Sequence, residues 1–341
     1  MAASPSGRPV LVTGATGFAG GHLVRALAEE GQQVRILARS SARTGNFPSS
    51  VDVRVADITD PAAVSRAVEG VGTIYHLAAA YRAASHREEG YRLINVEATR
   101  NLLEAAAGSG VGRFVHCSTV GVHGHVASPP ADETTAFSPA DAYQRTKLEA
   151  ELLARSYARD RGLAVTVARP TAIYGPGDTR LLKMFRMIAN GTFVMLGKRD
   201  IYYHMVYVDD LVAGLKLLAT HPGAVGEVFI LGGERYYRLT DIADTIAQLL
   251  GVRRPRMRLP AFPFQMVGSL CEAICVPFGL EPPIYRRRVD FFTKSRAFSI
   301  EKARRVLGYA PQWSLEAGLR RTLEWYLAEG QIKQAKLAPT G

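Results

Sequence analysis

The chain has 341 residues, 47% of them hydrophobic, with 42 Lys+Arg against 31 Asp+Glu, a formal net charge of +11 and a pI near 9.7. That length exceeds one doubly wound domain and predicts a second lobe. Three cysteines, Cys117, Cys271 and Cys275, fit neither a disulfide framework nor a metal-ligand spacing, so the pattern excludes a disulfide-stapled secreted fold and points to a reducing, cytoplasmic compartment.

Taken in chain order, Met1 to Pro9 is a polar lead-in without the apolar core of a signal peptide. Val10-Leu11-Val12 reads as a buried strand and Phe18 to Glu30 as a helix with Leu23, Val24, Leu27 and Ala28 on one face. Between them runs Thr13-Gly14-Ala15-Thr16-Gly17-Phe18-Ala19-Gly20. A strand, a glycine turn and a helix form the context that a dinucleotide requires. Gly14 supplies a backbone angle closed to other residues. Gly17 lets a pyrophosphate approach, and Gly20 permits close helix–strand packing. The free N–H groups of the helix start, around Thr16, Gly17, Phe18 and Ala19, suit phosphates. The second strand, Val34 to Ala38, ends at Arg39 rather than at the acid that holds a ribose 2′-hydroxyl. With Ser40, Ser41 and Arg43 nearby, this favours NADP over NAD; the alternative is that Arg39 stacks on adenine or faces solvent. A third strand, Val51 to Val55, leads to Asp57-Ile58, where Asp57 can accept from the adenine amino group. The fourth, Thr73 to Leu77, runs into Ala78-Ala79-Ala80, small enough to lie against the cofactor.

Arg113 to Cys117 reads as a fifth strand with Ser118-Thr119 at its C-terminal end, where ligands of open α/β sheets bind. Tyr143 to Arg161 reads as a long helix, and one turn separates Tyr143 from Lys147, so the two share a face. A free tyrosine, with a pKa of about 10, is a poor base at neutral pH, and a nearby cation lowers that value. Lys147 can also bond a nicotinamide ribose, while Thr119 or Ser118 binds the substrate oxygen and turns it toward Tyr143. Alone, a Tyr-x-x-x-Lys pair is a solvated helix face. After a glycine turn and a hydroxyl step, it states general acid–base catalysis beside a hydride carrier.

These pieces resemble the extended short-chain dehydrogenase/reductase family over nearly the whole chain. The matching motifs include T-G-A-T-G-F-A-G, H-L-A-A-A, N-V-E-A-T-R-N-L-L from Asn95, S-T-V-G-V-H-G from Ser118, Y-Q-R-T-K, R-P-T-A-I-Y-G-P-G-D from Arg169 and H-M-V-Y-V-D-D-L-V from His204. The resemblance implies an α/β fold, a Rossmann-type doubly wound parallel sheet with a smaller mixed substrate lobe. It assigns the catalytic Ser/Thr position to Thr119 and the adjacent cofactor-proximal one to Ser118. It further assigns Asn95, Leu77, Ala78 and Ala79 to the cofactor side, and Pro170 and Ile173 to the segment that meets nicotinamide. Thr146 replaces the serine usual before the lysine. A homodimer through the helices from Leu93 and Tyr143 is also implied.

The expected division is a nucleotide half over 1–180, with returns to the sheet near 201–235, a substrate lobe over 181–330 and a tail over 331–341. Sugar-nucleotide epimerases and dehydratases place an asparagine where Thr171-Ala172-Ile173 stands, so its absence counts against that branch. The apolar run from Ala261 to Phe278 and the Phe291 to Pro311 series look instead like the 3β-hydroxysteroid dehydrogenase and sterol-4-carboxylate dehydrogenase group. The implied activity is alcohol–ketone interconversion on an apolar small molecule; an epimerase with retained NAD and a dihydroflavonol-reductase-like ketone reductase are the alternatives. Between Gly251 and Ala310 stand twelve Lys/Arg and four acids. Three readings compete: a solvated basic surface, attraction of anionic ligands, and peripheral docking to an anionic membrane. Pro263 and Pro277 break the apolar run, so it does not span. No nucleic-acid motif accompanies the charge. His123-Gly124-His125 lacks the companions of a metal site.

Overall fold

The computed structural model describes residues 7–41, 44–81, 88–197, 200–275 and 292–332. Arg43 and the Pro277, Phe278, Arg286, Arg287 and Arg288 part of the basic, apolar segment lie outside them.

The strands are β1 (Val10–Thr13), β2 (Val34–Ala38), β3 (Asp52–Val55), β4 (Thr73–His76), β5 (Arg113–Cys117), β6 (Val165–Pro170), β7 (Ala172–Tyr174), β8 (Met195–Leu196), β9 (Tyr202–Tyr203), β10 (Met205–Tyr207), β11 (Val228–Leu231), β12 (Tyr237–Arg238) and β13 (Arg258–Leu259). The helices are α1 (Phe18–Glu29), α2 (Pro61–Val68), α3 (Glu88–Arg92), α4 (Ala98–Gly108), α5 (Ala142–Arg161), α6 (Leu182–Ala189), α7 (Val208–Thr220), α8 (Leu239–Leu250), α9 (Ala261–Cys275), α10 (Glu301–Leu307) and α11 (Leu315–Ala328).

Seven strands form one parallel sheet in the order β11-β6-β5-β4-β1-β2-β3. The order reverses beside β1, so β1 and β4 open a crevice at their carboxyl ends. β1, β4, β6 and β11 are buried along their whole length, as a sheet covered by helices on both faces requires. One apolar cluster packs α1 and α7 on one face through Leu23, Val24, Leu27, Leu211 and Leu215. Another packs α2, α4 and α5 on the other through Val64, Leu102, Leu103 and Ala154. A third lies away from the main sheet, where Phe185, Ile188, Ile242, Ile246, Leu319 and Tyr326 join α6, α8 and α11. β11 returns to the main sheet, pairing with β6.

Candidate active site

Gly14 sits at φ +73°, and a Cβ there would lie 2.6 Å from the Ala78 nitrogen. No other residue fits between the glycine turn and the exit of β4. At Gly20 a Cβ would meet the Gly14 carbonyl oxygen at 2.2 Å, so its absence lets α1 close onto the turn that leaves β1. α1 starts at Gly17 with no side-chain cap. Its first N–H groups therefore face the crevice without a partner from a capping side chain, beside exposed Thr16 and half-buried Phe18 and Ala19.

Arg39 is exposed at the end of β2. Asp57 stands close enough to be held below the usual carboxylate range, first by the Thr59 N–H and hydroxyl and then by the Arg39 charge. Ile58 is buried, Leu77 and Ala78 are half-buried and Ala79 is exposed. An open glycine turn, an uncapped helix start, small residues after β4 and a cation after β2 together fit an extended dinucleotide.

The Ser118-Thr119 step divides. Thr119 caps the short 3-10 turn at Val120–His123, its hydroxyl accepting from the Gly121 N–H at 3.0 Å. Ser118 is buried and donates to Glu151 Oε2 at 2.7 Å. Neighbours leaving a strand point to opposite faces, and the Ser118 hydroxyl is bound inside the protein.

Tyr143 lies in the first turn of α5, capped by Asp141, whose carboxylate accepts from the Gln144 N–H at 2.8 Å. Its ring stands edge-on to Tyr81 with centroids 4.9 Å apart. Lys147, one turn on, is 2% exposed and donates from Nζ to the Cys117 carbonyl at 2.6 Å. Burial pushes its pKa below the ordinary lysine value, against the pull of Cys117 and Glu151.

Asn95 is buried. Its Oδ1 accepts from the Ala80 N–H at 2.8 Å and its Nδ2 donates to the Thr146 hydroxyl at 3.0 Å. These bonds join the chain after β4 to the turn that carries Tyr143. Thr146 takes that bond and passes its own proton to the Ala142 carbonyl at 2.8 Å, so threonine serves where serine was the usual residue. Asn95 stands in a single π-type turn, Leu93–Glu97, a distortion often found at functional sites.

Sequence reasoning did not anticipate two buried networks. In the first, Thr99 donates to the Asn95 carbonyl (2.6 Å), so it accepts from His76 Nε2 (2.8 Å), which leaves His76 Nδ1 to accept from Thr13 (2.7 Å). Burial, with the Lys147 charge, pushes His76 down to about 3, and it stays neutral. In the second, Arg169 (1% exposed) donates to both oxygens of Glu151 (0%), at 2.5 and 3.1 Å. Its Nη1 reaches the Glu133 carbonyl at 3.1 Å and His123 Nε2 at 3.0 Å. The signal was there in polar residues inside apolar strands, but alternation does not name their partners.

Residues 10–232 match the model of the NAD dependent epimerase/dehydratase family. The chain belongs to that family. A 3 beta-hydroxysteroid dehydrogenase/Delta 5-->4-isomerase of Mycobacterium tuberculosis is 32% identical, covering 94% of this chain and 90% of that protein. A 2-alkyl-3-oxoalkanoate reductase of Stenotrophomonas maltophilia is 31% identical over 92% and 97%. The crystal structure of gox2253 superposes with a TM-score of 0.80 at 31% identity, covering 96% of this chain and all of that one. This member of the epimerase/dehydratase family is an oxidoreductase with a Rossmann-type sheet. The resemblance to 3β-hydroxysteroid dehydrogenases drawn from the C-terminal third is borne out by these relatives. No three His, Cys, Asp or Glu residues converge as a metal group among the described residues.

Proposed function

We propose that the protein interconverts a secondary alcohol and a ketone on an apolar, steroid-like or related lipid substrate, with NADP preferred over NAD. The observation that carries this reading is Lys147, buried one helical turn from Tyr143 and anchored on the Cys117 carbonyl, directly before the Ser118-Thr119 step. The names of the mycobacterial and Stenotrophomonas relatives support the substrate class.

The substrate oxygen lies between Thr119 and Tyr143. Thr119 already accepts from Gly121 N–H, so its own proton is directed outward to that oxygen. In oxidation Tyr143 takes the hydroxyl proton as the carbinol carbon loses hydride; in reduction it returns the proton to the alkoxide. Lys147 orients the phenol and the ribose side of the site. When bound, the nicotinamide cofactor supplies or removes the hydride. The turn at Gly14, Thr16, Gly17, Phe18 and Ala19 would hold its diphosphate, Asp57 and Ile58 its adenine, Leu77, Ala78 and Ala79 its inner edge, and Pro170 and Ile173 its nicotinamide. Arg39 would meet a 2′-phosphate, which is the basis of the NADP preference.

Tyr143→Phe is expected to lower turnover about a thousandfold while leaving cofactor affinity within a few-fold. Full activity in that variant sinks the proposal. NAD retained through purification, with no net cofactor turnover, selects the epimerase or dehydratase reading. Titration with NADP(H) and NAD(H), repeated on Arg39→Ala, tests the cofactor choice.

Two surfaces extend the reading. Leu93 (51% exposed) and Leu152 (47%) lie on the outer faces of the helical segments that carry Asn95 and Tyr143, and support a homodimer there. On α9, Phe262, Met266 and Leu270 recur every fourth residue and are 67%, 58% and 61% exposed, close in sequence to Arg253, Arg254, Arg256 and Arg258. No helix among the described residues is long and apolar enough to cross a membrane. An apolar stripe beside a cationic run supports peripheral contact with an anionic bilayer.

A further inference from the structure

Arg180 has no part in the reaction as derived, yet its guanidinium stands among residues that bound the crevice. Its Cζ lies 5.5 Å from the centre of the Phe18 ring, at the start of α1. Nη2 donates to the carbonyl of Ile173, the residue assigned to the nicotinamide side, at 2.5 Å. Tyr81, whose ring meets that of Tyr143, and Tyr203 are near enough for their phenols to act on its charge. Phe18, Ile173, Tyr81 and Tyr203 thus surround one cation, and Tyr81 links it to the catalytic tyrosine.

The side chain is pre-oriented. Asp178, buried at 2%, accepts from both the Arg180 backbone N–H (3.0 Å) and its Nε (2.6 Å). The Asp178 carbonyl in turn accepts from Tyr326 at 2.5 Å, tying this loop to α11. With Nε and Nη2 engaged, Nη1 makes no hydrogen bond to a described residue. The Arg180 side chain remains 33% exposed. Burial works to lower its pKa, and Asp178 with the two phenols outweighs it, so it stays charged. A fixed guanidinium with spare donors at the edge of a partly apolar crevice is a recognition device for an oxyanion.

We propose that Arg180 is an anion-recognition residue of the substrate crevice, binding a carboxylate or phosphate oxygen carried close to the reacting alcohol or ketone. The same chemistry could come from the diphosphate of the cofactor, and the test separates the two sources. The inference rests on the alcohol–ketone reading above.

The experiment compares wild type, Arg180→Gln and Arg180→Lys as the full chain. Affinity for NADPH is measured by fluorescence. Affinity for octanoate and octanol is measured by calorimetry on the NADPH-loaded protein. A substrate anion predicts at least a tenfold loss of octanoate affinity in Arg180→Gln, with octanol and NADPH unchanged and partial recovery in Arg180→Lys. A tenfold loss of NADPH affinity with an unchanged octanoate-to-octanol ratio assigns the anion to the cofactor. If neither quantity moves, the proposal is overturned. A merely structural role would weaken octanol and octanoate alike and would also overturn it. Tyr143→Phe is run beside them: full turnover there removes the alcohol–ketone reading, whereas the Arg180 arms are binding measurements that fail or hold separately.

Discussion

The carboxyl edge of the main sheet and the outer face of the substrate lobe are built on opposite principles. At the sheet edge Thr13, His76, Asn95, Thr99, Lys147, Glu151 and Arg169 are polar and buried. On α9 Phe262, Met266 and Leu270 are apolar and exposed. Buried polar groups persist only when their hydrogen bonds are met, so the first region is over-determined: each residue there is held by its neighbours. Among the described residues no comparable network of buried polar groups restrains the second. The contrast sets a geometry held rigid under the sheet against a surface that can change without loss of fold.

The sharpest way to break that comparison is to remove one partner of the buried pair. Arg169→Met leaves the Glu151 carboxylate buried with, among the described residues, only Ser118 to bond it, at a cost of about 3–5 kcal/mol. Met266→Ser on the lobe face is expected to change stability by less than about 0.5 kcal/mol. Thermal unfolding of both variants decides the matter; equal melting temperatures would show that the buried network holds nothing.

A second test uses acid. The folded-state value of His76 is about 3, against about 6.5 for a free histidine. The unfolded chain therefore binds more protons between those limits. The contribution is complete above about pH 6.5 and is lost as pH falls toward 3, on the order of 5 kcal/mol at most. Burial likewise holds His116 and His204 below the ordinary value, and they add to the same slope. His76→Asn should flatten the fall of melting temperature between pH 6.5 and 4.5. An unchanged slope in that variant would mean that His76 is not a neutral link in the chain from Thr13 to Thr99.

Much of this edge was legible in the sequence because its motifs are local. The glycine turn, the hydroxyl step and the Tyr-x-x-x-Lys pair each occupy a few consecutive residues, and strand periodicity puts them at one end of one sheet. What was not legible is what crosses the sheet. Glu151 reads as one more charge on a solvated helix, yet it is fully buried because Arg169, eighteen residues on, returns to it from β6. Ser118 reads as a twin of Thr119, and only the pleat sends the two hydroxyls apart. Arg180 follows a Gly-Pro-Gly-Asp turn whose path no propensity predicts. In the lobe the paired strands are two residues long, too short for any periodicity to appear.

A smaller effect concerns the helical face at Leu93 and Leu152. Leu152→Glu puts a charge in the center of the proposed seam without touching the core, since Leu152 is 47% exposed. Light scattering should show the population moving from dimer toward monomer, with turnover per chain changed less than about threefold. Wild type that elutes as a monomer at all concentrations would remove the seam.

The smallest effect is expected where the comparison is most direct, at α9. Phe262, Met266 and Leu270 lie on one helical face, and the arginines from 253 to 258 precede them. Three of those cations are partly answered within the protein, Arg254 and Arg256 by Asp244 at 3.9 and 3.6 Å and Arg258 by Asp200 at 2.9 Å. The electrostatic share of membrane attraction is therefore modest, and the apolar stripe must supply most of the rest. Vesicles of phosphatidylcholine with about one-third phosphatidylglycerol should retain the wild-type protein, with binding weakened but not abolished by added salt. Changing the three apolar residues together to serine should reduce partitioning about tenfold, equal to roughly 1.4 kcal/mol, with turnover of a water-soluble alcohol unaffected. Loss of that turnover would place α9 inside the substrate site rather than on its outer face. Unchanged partitioning, in turn, would assign the stripe to a protein contact, because an exposed apolar patch that lipid does not cover still calls for something that does.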